Sequence, residues 1–454
     1  MTSLARARDR RVYLLSHPVL FALLAGLRGR PVRRLGRTLI VNEREAYLAA
    51  LTRIPLDRTA AGTTGGAVDR LAGAGGLFDQ QGDDHRRTRR EVADRLGAAG
   101  VERLRPLWTG LLASRLAPLA TGGTVDLVPL AAEIAGTTAA ALLDLDVDPF
   151  ELAAAAREAG ATAARAHLPG IGRRRAEARA EAAAERLLDL VRPRSPTPSW
   201  AGPIQPAGYD ISPPSSTSGN RLPPSPRTSP TPSWAGPIQP AGYDSFPPSS
   251  TGRVSTGPGA AGCGRTRADA ALAATLAVAA VNTTIAALPR AAAWASADGL
   301  WAYAQDPVLA DELLRVISPT PLLPRVAAAD GAPAGGCPVR AGDRMLLIAR
   351  HAADAHRRDP DPACPAPART SRLVFGAGPH ACPGARLARQ QLSDLLAGLA
   401  PYEPVVVRAR VDRRSALPSW RTLTVRAGRT ADVPAAQDGP ARRMSARTRG
   451  KSTA

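Results

Sequence analysis

The chain has 454 residues, 44% of them apolar, a formal net charge of +20 and four cysteines. That length allows one large domain or up to three smaller ones, and the composition is that of a folded protein. Nearly all the positive charge is arginine, with Lys451 the single lysine. No recognition-helix pattern, zinc-finger spacing or aromatic–basic interleaving accompanies it, so the charge does not point to nucleic acid.

Cys263, Cys337, Cys364 and Cys382 are scattered without CxxC spacing. This argues against a disulfide framework and a structural zinc site and suits a reducing cytoplasm. At the start, a basic run leads into "VYLLSHPVLFALLAGL". His17 and Pro18 interrupt the apolar part and no small-residue cleavage site comes after it, so an amphipathic first helix is expected rather than a signal peptide. Residues 170–191 are strong helix formers. Residues 195–210, "SPTPSWAGPIQPAGYD", recur unchanged at 229–244, and 17 of the 43 prolines fall between 193 and 258. Such a composition cannot bury enough surface to fold, so 193–265 is expected to be a disordered duplicated insert. A role for it as a proline-rich partner ligand is the alternative from another function class.

Beyond the insert, 270–288 is long enough to span a bilayer but mostly alanine with an Asn-Thr-Thr in its middle, and reads as a buried core helix. A short helix comes next, near 308–317. "GCPVRAGDRMLLIAR" (336–350) reads as strand–turn–strand, and "PVVVRARV" and "RTLTV" as paired strands. Residues from 426 on form a loose basic tail. The expected organisation is a mainly α (α+β) domain made of 1–192 and 266–425, split by the insert.

The stretch "FGAGPHACPG" (375–384) places Cys382 before an amphipathic segment that buries Leu387, Leu392, Leu395, Leu396 and Leu399. With Pro383 at the first helical position, Cys382 is expected at the N-cap. There the helix dipole and free N–H groups favour a thiolate and lower the thiol pKa. Gly376 and Gly378 allow turns that side chains forbid. A single anionic sulfur suits a metal whose other ligands are not protein.

The longer stretch "FGAGPHACPGARLAR" resembles the haem-binding signature of the cytochrome P-450 family, FGxGxHxCxGxxLAR, at every specified position. The resemblance implies the fold of that family, haem b between a proximal and a long distal helix, and Cys382 as axial iron ligand. It further implies Phe375 near the sulfur, Gly376 in the haem loop, His380 near a propionate, and Gly384 where the helix passes the porphyrin. "ELLR" fits the family's ExxR, implying a structural pair of Glu312 and Arg315, joined by Arg369 from "PAPAR". "HRRTR" fits HxxxR, implying that His85 and Arg89 meet haem propionates, with Arg325 of "PLLPR" as a further such arginine. "AAVNTT" resembles the oxygen-groove motif [AG]Gx[DE]T[TS]. Thr283 falls on the threonine that hydrogen-bonds bound dioxygen, Ala280 replaces a glycine, and Asn282 replaces the acid of the proton relay.

In function, the resemblance implies a soluble bacterial-type monooxygenase that inserts one atom of O2 into a small apolar substrate, by hydroxylation or epoxidation in secondary metabolism. Electrons would come from NAD(P)H through a ferredoxin or flavodoxin docking on basic residues such as Arg386 and Arg389. The protein would be a cytoplasmic monomer without membrane or nucleic-acid partners. Because Asn282 cannot ionise, a peroxide-using or weakly active haem protein is the alternative within the family.

Overall fold

In the computed structural model, residues 3–57, 59–61, 63, 82–167, 173–192, 267–331 and 336–428 are described. The expected insert at 193–265, Cys263 within it, and all but the first three residues of the expected tail lie outside them. The stretches on either side of 193–265 form one compact unit.

The expected first helix is two. Helix α1 (Leu4–Ser16) starts at Ser3, whose hydroxyl accepts the Arg6 N–H at 3.1 Å, and α2 (Pro18–Gly26) begins directly after His17. Pro18 has no N–H to continue α1 and drives His17 to φ −143°, which breaks the helix there. Strands β1 (Val32–Leu35) and β2 (Thr38–Val41) form a hairpin. Helix α3 (Arg44–Thr52), capped by the Glu43 carboxylate, and strand β3 (Leu56–Asp57) come next. Helices α4 (Gly82–Arg95), α5 (Ala98–Leu116), α6 (Leu127–Leu142), α7 (Pro149–His167) and α8 (Arg173–Val191) then build one side of the molecule, with β4 (Thr124–Asp126) before α6.

Helix α9 (Arg267–Asp298) is the central element. It overruns the expected end at 288 by ten residues, straight through Pro289. A proline inside a helix forfeits a backbone hydrogen bond and costs about 3 kcal/mol. Here Ala291 to Ala295, all buried, pack the last turns into the core and outweigh that cost. The helix is long and apolar enough to cross a membrane, but more than half of its apolar stretch is buried inside the protein. This is the burial expected of a core helix.

Helix α10 (Pro307–Ile317) starts on Asp306, whose carboxylate accepts the Val308 N–H at 2.8 Å, and puts Glu312 and Arg315 inward. Strands β5 (Leu323–Ala327) and β6 (Arg344–Leu347) come next, then α11 (Ala385–Leu399) and the hairpin β7 (Val405–Asp412)–β8 (Ser419–Arg426). The paired C-terminal strands match the reading of 404–425, and β4 adds to β8.

The expected strand–turn–strand at 336–350 is corrected. Only a single bridge, Gly331 to Val339, forms in its first half. The second half, β6, pairs antiparallel with β5 and parallel with β2 in a sheet ordered β1–β2–β6–β5–β3. Met345 and Leu347 are fully buried on that sheet, and apolar burial in the middle of five strands prevails over the local hairpin. Three apolar clusters result among the described residues: a helical one around Trp108, Ile134, Leu187 and Trp294, one around Tyr47 and Met345 at the sheet, and a small one of Tyr13, Phe21, Leu24, Ile40 and Ile348.

Candidate functional site

The site is built where α11, the loop before it, α3 and α4 converge. The loop turns back on itself: the Cys382 N–H donates to the Phe375 carbonyl at 2.7 Å, and Ala381 N–H to the Gly378 carbonyl at 3.1 Å. Gly378 has φ +70°, and a Cβ there would lie 2.9 Å from the Leu51 carbonyl oxygen, so both backbone shape and space demand glycine. Gly376 is also left-handed at φ +75°. Phe375 and His380 are half-buried in this loop.

Helix α11 begins at Ala385, with Gly384 as its N-cap, so Cys382 is not the capping residue expected. Pro383 and Gly384 form a turn that carries the sulfur just outside the helix. The Gly384 N–H still donates to the Cys382 sulfur, and a Cβ at Gly384 would sit 3.8 Å from Sγ. The expected lowering of the thiol pKa is corrected too. Burial pushes the Cys382 thiol up, more than the Gly384 N–H and the nearby Arg89 pull it down. The Cys382 side chain is accessible by surface area although protein surrounds it at longer range, as for a group in a recess. The longer-range surroundings govern its acidity, because they set how well a charge is solvated. A thiolate in such a recess needs a cation bound directly to it.

Arg89 borders this recess, and Arg325 of β5 lies beside Tyr47 of α3. Arg89 of α4 donates from Nη2 to the Ala381 carbonyl at 2.6 Å, and burial lowers its pKa. Arg325 of β5 donates only to the Pro324 carbonyl at 2.8 Å, and burial lowers its pKa likewise. Among the described residues neither faces a carboxylate. Partly buried guanidinium groups without an acid partner are well suited to a ligand bearing carboxylates. His85 lies on α4, and its side chain falls outside the described residues. One thiol in a recess, a glycine turn beside it and two arginines with no acid among the described residues fit a flat metal macrocycle with two propionates. Cys382 would hold the metal, and Arg89 and Arg325 the propionates.

The Glu312–Arg315 pair is fully buried, with Nε to Oε1 at 3.0 Å and Nη2 to Oε2 at 2.7 Å. Glu312 also accepts the N–H groups of Asp361 and Ala366 at 3.1 and 3.0 Å, while Arg315 donates to the carbonyls of Ala353, Arg358 and Asp359. Arg369, expected as the third member, is exposed and makes no hydrogen bond or ion pair among the described residues. Backbone groups of 353–366 take its place, because they already saturate both carboxylate oxygens.

On α9 the oxygen-groove residues bond to backbone. Thr283 Oγ1 donates to the Ala279 carbonyl at 2.7 Å, closing on its own preceding turn. Asn282 Nδ2 donates to Val278 at 2.8 Å and across to the Ala156 carbonyl of α7 at 3.0 Å. Asn282, at the position where the resembled motif carries its relay acid, therefore clamps two helices together.

Three further contacts hold these elements together. Asp394 of α11 accepts from Arg105 at 3.0 and 2.8 Å, from Trp108 Nε1 at 2.9 Å and from Gln390 at 3.0 Å, fixing α11 on α5. Arg389 forms a two-pronged pair with Asp311 of α10. Buried Asp9 accepts from Arg290 and Arg350, tying α1 to α9. Apart from Gln390, each partner is distant in sequence, so no local spacing announces the contact.

The sequence matches no protein-family model and no curated protein. Solved structures do match. Epothilone D-bound cytochrome P450epoK has 18% identity and TM-score 0.61, covering 91% of this chain and 97% of that one. P450BioI, in complex with an acyl carrier protein ligated to hexadec-9Z-enoic acid, has 17% identity and TM-score 0.60, covering 91% and 98%. CYP164A2 of Mycobacterium smegmatis, ligand-free, has 20% identity and TM-score 0.59, covering 90% and 98%. The fold is that of a cytochrome P-450. In that fold α9 is the long central helix, and the Cys382 loop leads into α11. The mainly α (α+β) architecture expected from the sequence is the one observed.

Proposed function

We propose that the chain is a haem–thiolate monooxygenase, with Cys382 as the metal ligand and Arg89 and Arg325 as the propionate partners. The observation that carries this reading is the pairing of a recessed thiol with two partly buried arginines that face no acid among the described residues, in a cytochrome P-450 fold. The haem, when bound, supplies oxygen activation with two electrons. The chain's part is to hold the sulfur between the Gly384 N–H and Arg89 and to neutralise the carboxylates. It also lines the distal side with the apolar, alanine-rich face of α9. That face supports an apolar organic substrate, in line with the epothilone D and hexadec-9Z-enoic acid of two of the similar structures. Electrons would reach the site from NAD(P)H through a ferredoxin or flavodoxin at the proximal face, where Arg386 is exposed and Arg389 is already paired with Asp311. A cytoplasmic monomer fits the reading.

The test is the carbon-monoxide difference spectrum of the purified, reduced protein. A thiolate-ligated signature that vanishes in Cys382→Ser is expected; an identical spectrum in the variant overturns the assignment.

The Asn282 and Thr283 hydrogen bonds favour a second reading, in which the enzyme uses peroxide. Neither side chain holds an ionisable proton, and both donate to backbone carbonyls. Product formed with peroxide but not with a ferredoxin system would select this reading over the first.

A further inference from the structure

A crevice of about 390 Å³, which shares no lining residue with the Cys382 loop, lies between the α2–β1 turn, the start of α3 and the segment 351–357. Its volume is in the range of small-molecule sites. Arg28, Arg30, Arg44 and Arg357 line it, against only Glu43 and Asp354. Both carboxylates are engaged. Glu43 accepts the N–H groups of Glu45 and Ala46 at 2.9 and 3.0 Å, and Asp354 lies 3.6 Å from Arg44. The side chains of Arg28, Arg30 and Arg357 are exposed and have no acid among the described residues.

Two histidines form the floor. His351 is 5% exposed, and its Nδ1 lies 2.7 Å from Asn42 Oδ1. Asn42 spends its NH2 on the carbonyls of Leu27 and Arg30, so its oxygen faces His351 and Nδ1 must carry the proton. His356 packs edge-on against that ring at 5.1 Å, and both its ring nitrogens are buried without a partner. A neutral imidazole always carries one N–H, and a buried donor without an acceptor calls for a ligand or water. Burial first, and the cations of Arg357 and Arg28 next, hold His356 down to about 4. Burial and the neighbouring cations hold His351 down to about 3. The floor is thus a neutral donor surface beneath unmatched positive charge.

We propose that this crevice binds a multiply charged phosphate-type oxyanion, gripped by Arg28, Arg30 and Arg357 with an N–H donated from His356. Guanidinium forks match phosphate oxygens in geometry as well as charge. The site is independent of the haem reading, since none of its residues belongs to that recess.

The test is calorimetric titration of the full chain with pyrophosphate, orthophosphate and ADP at constant ionic strength in potassium chloride, followed by nitrogen-edited spectra of the histidine rings. Saturable one-to-one binding of pyrophosphate with Kd below roughly 1 mM is expected. Affinity should fall about tenfold or more in Arg28→Ala/Arg357→Ala and stay unchanged in the remote Arg408→Ala control. The His356 ring signals should shift on binding. ADP binding as tightly as pyrophosphate assigns the diphosphate end of an organic molecule, and rejection of ADP assigns the free ion. Unsaturable heats, equal affinity in the double variant, or histidine signals that do not move would each overturn the proposal.

Discussion

Gly160 and Asn282 show how one residue sets the spacing of two helices. A Cβ at Gly160 would lie 2.7 Å from Asn282 Nδ2, the atom that bridges to Ala156. Gly160→Ala is therefore expected to displace the Asn282 side chain and cost about 1–3 kcal/mol, the penalty of a lost buried hydrogen bond with local overpacking. Urea unfolding measures it. In the Asn282→Ala background the same glycine change should cost little, because the obstructing amide is gone; equal cost in both backgrounds refutes the coupling. At this scale the sequence was readable where a motif was dense. Cys382 stands out because glycines, proline and the subsequent helix pattern all converge on it. Asn282 does not, because its partner lies 126 positions away.

Among elements, α11 is the one whose placement decides the site, since the haem loop leads directly into it. Its leucine stripe is plain in the sequence, but the seat on α5 depends on Asp394 meeting Arg105 and Trp108. Asp394→Ala leaves the Trp108 N–H buried and unpartnered, and should destabilise by about 1–3 kcal/mol. The fraction of purified protein that retains pigment should fall in parallel, read from the ratio of haem to protein absorbance; undiminished stability and pigment would mean that the leucines alone seat the helix. Strand β6 shows the opposite lesson. Its apolar alternation was legible, its partners were not, since both flank it from distant stretches and only the buried sheet centre selects them.

For the whole molecule, charge governs two measurable behaviours. His351 and His356 titrate near 3 and 4 when folded, against about 6.5 in an unfolded chain. Between those values the unfolded state binds more protons, so stability is complete above about pH 6.5 and declines as pH falls toward 4. The slope contributed by the buried His351 approaches about 1.4 kcal/mol per pH unit. Urea midpoints at about pH 7 and pH 5 check this, and the difference should shrink in His351→Gln; a difference unaltered by that change would place the acid sensitivity elsewhere. The second behaviour comes from the net charge of +20. Electron delivery from an acidic ferredoxin should slow severalfold between low and high salt, because screening shortens the reach of the basic surface. Stopped-flow reduction at two ionic strengths measures it, and a salt-independent rate would exclude electrostatic steering.

The sequence by itself determined the haem-loop signature, the Glu312–Arg315 pair and the helices over 173–191, 307–317 and 385–399, because each rests on contacts within a few residues of one chain segment. Tertiary structure alone decided that backbone groups displace Arg369, that Asn282 joins two helices, that α9 runs on through Pro289, and that arginines and histidines from three separate segments gather in one crevice. Those outcomes depend on groups far apart in the chain competing for the same buried space, and no local pattern records that competition.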